Sequence, residues 1–114
     1  MKYRGGCYCR KIRYEVELDD LEKARTSLCH CGNCKNSTGG PFGITTKIPK
    51  SSFIVTEGRD SVKVHEADNG AGTLIRREFC ETCGSGLLEY GVSHIPFLSF
   101  LRCSQAAQKR ASLC

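Results

Sequence analysis

The stretch Cys80-Glu81-Thr82-Cys83-Gly84 decides how this chain folds, because it places two cysteines at the spacing of a metal-binding turn. Cysteines this close can turn both sulfurs toward one ion, whereas a disulfide requires Cα atoms about 4.4 to 6.8 Å apart and one particular torsion. Gly84 can adopt a positive φ, so that backbone N–H groups fold back toward the sulfurs and stabilise thiolate charge. The stretch therefore predicts one half of a tetrahedral metal site.

Two more cysteine clusters occur earlier in the chain. They are a C-x-C pair and a C-x-C-x-x-C triplet: Cys7 and Cys9, and Cys29, Cys31 and Cys34. Two pairs complete a tetrahedral site, and we expect the first pair to share one zinc ion with the last. The triplet leaves a zinc ion with one open position, which is how a catalytic zinc is held. Buried core thiols are the alternative, and metal spacing in seven of the nine cysteines argues against it.

Three other potential ligands, Cys103, Cys114 and His30, are not expected to bind either metal. Cys103 and Cys114 lie outside every cluster and are predicted to be free thiols. His30 stands between two predicted ligands, so we expect its side chain to point away from the metal that its neighbours bind.

Composition predicts a small intracellular domain. The 114 residues are 39% hydrophobic and 25% charged, which suits one globular unit with a modest core. We expect a soluble chain without a signal peptide, because no apolar segment follows the polar N-terminus and no run reaches about 18 apolar residues. An odd number of cysteines at metal spacing favours a reducing compartment, the cytoplasm or the nucleus.

The formal charge of +5 overstates how basic the protein is. Two zinc ions on seven thiolates would lower that charge to about +2. The lysines and arginines are scattered, and no basic stripe with interleaved aromatic residues is evident. Charge therefore argues against a nucleic-acid partner, and the sequence leaves the oligomeric state open.

Hydrophobic alternation with period two recurs in short segments and predicts an all-β fold without a long helix. The predicted strands span residues 12–18, 42–48, 53–56, 62–65, 73–79, 87–90 and 95–101. Between them we expect a charged connection at 19–25, a loop at 35–43, turns at 57–60 and 68–72, and a frayed polar tail from residue 104.

Three motifs together resemble the glutathione-dependent formaldehyde-activating enzyme family, also called the centromere-protein-V/Gfa domain. In family order they are Gly5-Gly6-Cys7-Tyr8-Cys9, then Cys29-His30-Cys31 to Cys34-Lys35 with Gly39-Gly40-Pro41-Phe42, then Arg77-Glu78-Phe79-Cys80 to Cys83-Gly84-Ser85. The resemblance suggests a Gfa-like domain over residues 1–91 and a divergent C-terminal segment over 92–114. It implies small antiparallel sheets of the β-tent type pinned by two zinc sites. The structural zinc would bind Cys7, Cys9, Cys80 and Cys83, and the catalytic zinc Cys29, Cys31 and Cys34.

The same resemblance implies a carbon–sulfur lyase that acts on a glutathione adduct such as S-hydroxymethylglutathione. The partner would be a small-molecule thiol, with glutathione as cosubstrate. Its carboxylates need cations or N–H donors, and Lys35, Gly39 and Gly40 are candidates because they follow the open zinc site in sequence. A solvated lysine and a plain turn are the simpler interpretation of those three residues.

Two departures from the family pattern bear on these expectations. Arg10 stands where the family usually has glycine, which leaves open whether the first cysteine pair uses a different turn. The chain beyond Gly91 lacks the family's final strands. A non-catalytic zinc module for protein or nucleic-acid partners is therefore the main alternative. A partner of a small GTPase, with one structural zinc, is a weaker one because of the second cysteine cluster.

Overall fold

The computed structural model of the protein describes residues 2–19, 25–91 and 99–102. These residues form strands and one short helix, in chain order β1 (Lys2–Gly6), β2 (Arg13–Glu17), β3 (Arg25–Cys29), α1 (Gly32–Thr38), β4 (Gly43–Ile48), β5 (Phe53–Glu57), β6 (Val62–Asp68), β7 (Leu74–Cys80), β8 (Gly86–Gly91) and β9 (Ser99–Arg102). Short 3-10 turns at Lys50–Ser52 and Arg59–Ser61 precede β5 and β6. The all-β prediction is confirmed. The β-tent arrangement stays a prediction.

The strands form two antiparallel sheets. The small sheet has the order β1-β2-β5, and the large sheet has the order β3-β4-β9-β8-β7-β6. One hydrophobic core draws on both sheets, with Tyr14 and Val16 from the small sheet and Ile48 and Leu88 from the large one. The ring of Tyr14 lies 4.7 Å from that of Phe53, measured between centroids. The two sheets therefore share one core.

Strand β2 shows why the period-two pattern predicts the core correctly. Tyr14 and Val16 are 1% and 2% exposed, whereas Arg13 and Glu17 on the alternate positions face solvent. Successive side chains of a strand point to opposite faces, so this alternation buries one face of the small sheet. Full burial of such a side chain stabilises the fold by about 1.5 to 3 kcal/mol.

Strand β1 was not expected, because its sequence is polar and ends in two glycines. It pairs with β2 from Lys2 opposite Glu17 to Gly6 opposite Arg13. Tyr3 is its one residue that is classed as buried. A Cβ atom on Gly5 would lie 2.6 Å from the Tyr14 ring, so the missing side chain lets that tyrosine pack against the strand.

The prediction of a loop over residues 35–43 is wrong for its first part, where helix α1 extends to Thr38. The Cys31 sulfur caps the helix by accepting a hydrogen bond from the Cys34 N–H at 3.3 Å. Gly39 ends it with φ +69, and its N–H donates to the Lys35 carbonyl oxygen at 2.8 Å. No residue of this helix is buried, so it lacks the apolar stripe by which a helix is predicted from sequence. Local caps hold it instead.

The C-terminal segment contributes β9, which overlaps the predicted strand over residues 99–101. It lies inside the large sheet, paired with β4 on one side and β8 on the other. The rest of that segment, with Cys103, Cys114 and the predicted frayed tail, lies outside the described residues, as does most of the charged connection at 19–25. Where the structure describes the chain, it contains no helix that is long and apolar enough to cross a membrane.

Candidate metal centres and substrate site

The first and last cysteine pairs sit on two similar turns. After β1, the N–H of Cys7 donates to the Ile12 carbonyl oxygen at 3.1 Å and the N–H of Arg10 to the Cys7 carbonyl oxygen at 3.0 Å. After β7, the N–H of Cys80 donates to the Ser85 carbonyl oxygen at 3.0 Å and the N–H of Gly84 to the Cys80 carbonyl oxygen at 2.8 Å.

Each of these turns has one residue in the left-handed region. Gly84 has φ +75, as its sequence context predicts, and Arg10 has φ +68. Arg10 therefore adopts the backbone conformation that glycine favours, and the first pair does not need a different turn. A non-glycine residue pays for this conformation with about 1 to 2 kcal/mol of steric strain.

Four sulfurs meet between the two turns. Those of Cys7, Cys9, Cys80 and Cys83 all lie within 4.8 Å of one another. The Cys7 and Cys9 sulfurs are 3.4 Å apart, and those of Cys9 and Cys80 are 3.7 Å apart. A Zn–S distance of about 2.3 Å implies sulfurs about 3.8 Å apart around a tetrahedral ion. The donor set and its spacing thus fit a structural zinc, and the group could hold a metal ion.

This first sulfur group joins the two sheets. Cys7 follows a strand of the small sheet and Cys80 ends a strand of the large one, and both side chains are buried. The N–H of Tyr8 also donates to the Ser85 hydroxyl at 3.0 Å. The N–H of Ile12 donates to the Cys7 sulfur at 3.3 Å, which favours the thiolate form. A metal bound here would cross-link parts of the chain that are far apart in sequence.

The second sulfur group lies where β3 runs into α1. Cys29 ends the strand, Cys31 caps the helix and Cys34 lies in its first turn, with the three sulfurs within 4.8 Å of one another. The Cys29 and Cys31 sulfurs are 3.4 Å apart. Among the described residues, no fourth cysteine, histidine or carboxylate joins them. Cys31 is exposed, so a metal held by these three thiols would be open to solvent on that side.

Gly43 allows α1 to lie close to the large sheet. It pairs with Cys29 in the β3–β4 register, and a Cβ atom at this position would lie 3.3 Å from the Cys34 Cβ. That distance is short for two carbon atoms, which prefer about 3.5 to 4.0 Å. A larger residue would push the helix, and with it Cys34, away from Cys29.

Two thiols of the second group, those of Cys31 and Cys34, have pKa values shifted in opposite directions. The pKa of Cys31 is lowered, first by the hydrogen bond from the Cys34 N–H and then by that from Cys29. Burial raises the pKa of Cys34 to about 12, and hydrogen bonding to Cys29 adds to the rise. Three thiolates this close repel one another, and a divalent cation would offset the repulsion. The chemistry of the donor set therefore suits zinc here as well.

The residues expected to bind the cosubstrate lie at the end of α1. Lys35 is exposed on the helix, and the N–H of Gly39 is used in the helix cap. The N–H of Gly40 donates to the Thr38 hydroxyl at 3.3 Å. His30 lies outside the sulfur group, with its ring 5.5 Å from that of Phe42. Both glycine N–H groups thus already have acceptors within the turn.

A cavity of about 360 Å³ lies between α1 and the large sheet. Ser37 and Thr38 line it from the helix, while His65, Arg77 and Phe79 line it from strands β6 and β7. The sequence analysis did not find this site, since its residues are far apart in the chain. The available signal was the third motif, which contributes Arg77, Glu78, Phe79 and Gly84 to the lining.

The family model of the glutathione-dependent formaldehyde-activating enzymes (GFA) matches residues 2–111. The chain belongs to this family. The match extends past Gly91, and the domain boundary drawn there stays a prediction. Two further comparisons place this GFA chain among known proteins.

A Schizosaccharomyces pombe protein described as an uncharacterized lyase is 28% identical over 86 residues, which are 75% of this chain and 56% of that protein. The GFA chain thus spans little more than half the length of this relative. A crystal structure of a Rhodobacter sphaeroides protein has a TM-score of 0.66 at 21% identity, covering 87% of this chain and 83% of that one. At this identity the second likeness shows a shared fold.

Proposed function

We propose that this protein is a zinc-dependent carbon–sulfur lyase that acts on a glutathione adduct such as S-hydroxymethylglutathione. The observation that carries the proposal is the three-sulfur group of Cys29, Cys31 and Cys34, open to solvent at Cys31. Membership of the GFA family and a relative described as a lyase support it. The four-sulfur group would hold a second, structural zinc.

In this proposal the thiolates of the triplet hold a zinc ion with one open position. Zinc bound there would lower the pKa of a substrate thiol and favour its thiolate form. The chain holds the three sulfurs in place through the β3 end, the Cys31 cap and the close approach at Gly43. The exposed side of Cys31 gives the substrate sulfur access to the group.

The reaction itself is a cleavage of the adduct. The carbon–sulfur bond breaks, its electron pair stays on the sulfur, and the adduct hydroxyl loses its proton as formaldehyde forms. The reverse direction joins formaldehyde to the glutathione sulfur. Lys35 is the candidate for an ionic contact with the cosubstrate. Gly39 and Gly40 are candidates only if their N–H groups exchange their present acceptors for a carboxylate of the cosubstrate. We place the protein in the cytoplasm or nucleus.

A cobalt-substituted protein tests the proposal, because thiolate ligands give Co²⁺ intense charge-transfer absorption. Adding glutathione should raise that absorption in the wild type. The Cys31→Ser variant should lose second-site metal and the response, while the four-sulfur group keeps its ion. If millimolar glutathione leaves the wild-type spectrum and its rate of metal loss to a chelator unchanged, the lyase proposal fails. The non-catalytic zinc module is then the better interpretation.

A further inference from the structure

Arg77 lies near the middle of β7, the second strand from one edge of the large sheet, on the face turned away from the core. Its neighbours Glu78 and Cys80 are buried on the core side, and alternation along β7 turns Arg77 and Phe79 to the other side. The register places His65 and Glu89 beside it on the adjacent strands. These three positions form a cross-strand row in which side chains share one face.

Only part of the guanidinium group has a partner. The Nε–H donates to Glu89 Oε2 at 2.8 Å, and the two side chains are 16% and 13% exposed. Nη2 is buried and has no hydrogen-bond partner among the described residues. A buried donor without an acceptor is destabilising, so its presence in a native protein calls for an explanation. A guanidinium group presents N–H donors in a planar fork that matches a carboxylate.

The cavity that Arg77 lines is bounded on its other side by the helix that carries Cys34. Thr38 lies about one turn beyond Cys34, since four residues of helix rise about 6 Å. Its hydroxyl donates to the Cys34 carbonyl oxygen at 2.9 Å, which ties the cavity wall to the second sulfur group. In a peptide thiol, a carboxylate one or two residues from the cysteine lies at most about 7 Å away along an extended backbone. A peptide thiol bound at the second sulfur group would therefore extend toward the cavity wall that Thr38 forms.

The ion pairs around the cavity leave unused donor capacity on the Arg77 guanidinium group. Glu89 already faces Arg77, and Glu78, which also lines the cavity, has its carboxylate 3.8 Å from Arg59 Nη1. His65 is exposed on the neighbouring strand. An incoming carboxylate would therefore meet the free side of the guanidinium group, with the arginine's other side held by Glu89.

We propose that Arg77 binds a carboxylate of the thiol substrate in this cavity through its guanidinium group. The identity of that substrate as glutathione rests on the proposed function. Arg77 is then a substrate-anchoring residue that sets specificity for acidic peptide thiols over simple thiols. Either the glycine carboxylate or the γ-glutamyl carboxylate of glutathione could be the group that Arg77 binds. Comparing the two glutathione monoesters, each of which blocks one carboxylate, distinguishes between them.

The first test compares thiols by cobalt absorption in the holoprotein. For the wild type, glutathione should bind about 10- to 100-fold more tightly than its diethyl ester, as expected for a charge-assisted hydrogen bond. In Arg77→Gln this preference should vanish, while binding of 2-mercaptoethanol changes less than about twofold. Arg76→Gln is the matched control, because Arg76 lies on the other face of β7 and pairs with Glu66 at 2.6 Å. Equal wild-type affinities for glutathione and its diethyl ester would overturn the proposal.

A second measurement does not depend on metal binding by the ligand. S-methylglutathione keeps both carboxylates but has no free thiol, and it should shift the side-chain NMR signals of Arg77 in the zinc-loaded protein. Arg77→Lys, which keeps a charge for Glu89, serves as the folding control through its melting temperature and zinc content. If S-methylglutathione shifts Arg77 but no thiol alters the cobalt spectrum, the lyase proposal fails and the anion site stands. If thiols alter the spectrum and Arg77 does not respond at millimolar ligand, the anion site is wrong.

Discussion

Replacing Cys80 with serine should remove the structural zinc and much of the fold. The Cys80 side chain is 0% exposed, and its sulfur lies 3.7 Å from that of Cys9. Structural zinc binding contributes about 10 to 16 kcal/mol to folding. If the four ligands contribute equally, each accounts for about 3 to 4 kcal/mol of that free energy. A buried hydroxyl without a partner adds about 1 to 3 kcal/mol. The sum is comparable to the whole stability of a small domain, about 5 to 15 kcal/mol.

The assay is a thermal melt combined with elemental analysis. A domain of this size loses about 4 °C of melting temperature for each kcal/mol, so we expect a fall of about 15 °C or more. The Cys31→Ser variant is the matched control, because that cysteine is exposed and belongs to the other sulfur group. It should lose one zinc and keep most of its melting temperature. One zinc in the wild type, or an unchanged melt for Cys80→Ser, would refute the reasoning.

Three further predictions concern the backbone, the tail and the second metal. Gly58→Ala should destabilise the protein by about 2 to 4 kcal/mol in chemical denaturation, because φ is +76 and a Cβ would meet the Lys11 carbonyl. Gly70 has φ +88 and open space around it, so Gly70→Ala should lose only the stability that the positive φ costs an alanine. Equal losses of stability in the two variants would exclude the clash at Gly58. Removing residues from Ser104 onward should leave the melting temperature unchanged. Truncation after Gly91 should unfold the large sheet, because it deletes β9. A stable protein after truncation at Gly91 would show that β9 is dispensable. Glutathione should slow zinc loss to a chelator in the wild type but not in Cys31→Ser, and equal protection of both would place the thiol elsewhere.

Strand β2 is predicted correctly because one of its faces is buried. Its alternation reports burial directly, since each side chain's polarity matches the face on which it lies. The same rule does not hold along β7, where Glu78 is buried and Leu74 is exposed. Strand β1 lacks this signal, since its residues pair through the backbone and Tyr3 is its one buried residue. Helix α1 lacks it too, because the caps at Cys31 and Gly39 hold it without an apolar stripe.

The sequence by itself was enough to predict that seven cysteines form metal sites, that they divide into a pair, a triplet and a pair, and that a glycine turn lies at Gly84. These follow from local spacing, because short-range geometry limits which sulfurs can turn toward one ion. Only the tertiary structure decided that Arg10 takes a left-handed turn and that Arg77 lines a cavity beside α1, with a buried Nη2 that has no partner among the described residues. Such features depend on which strands lie side by side, and strand order is set by packing between residues that are distant in the chain.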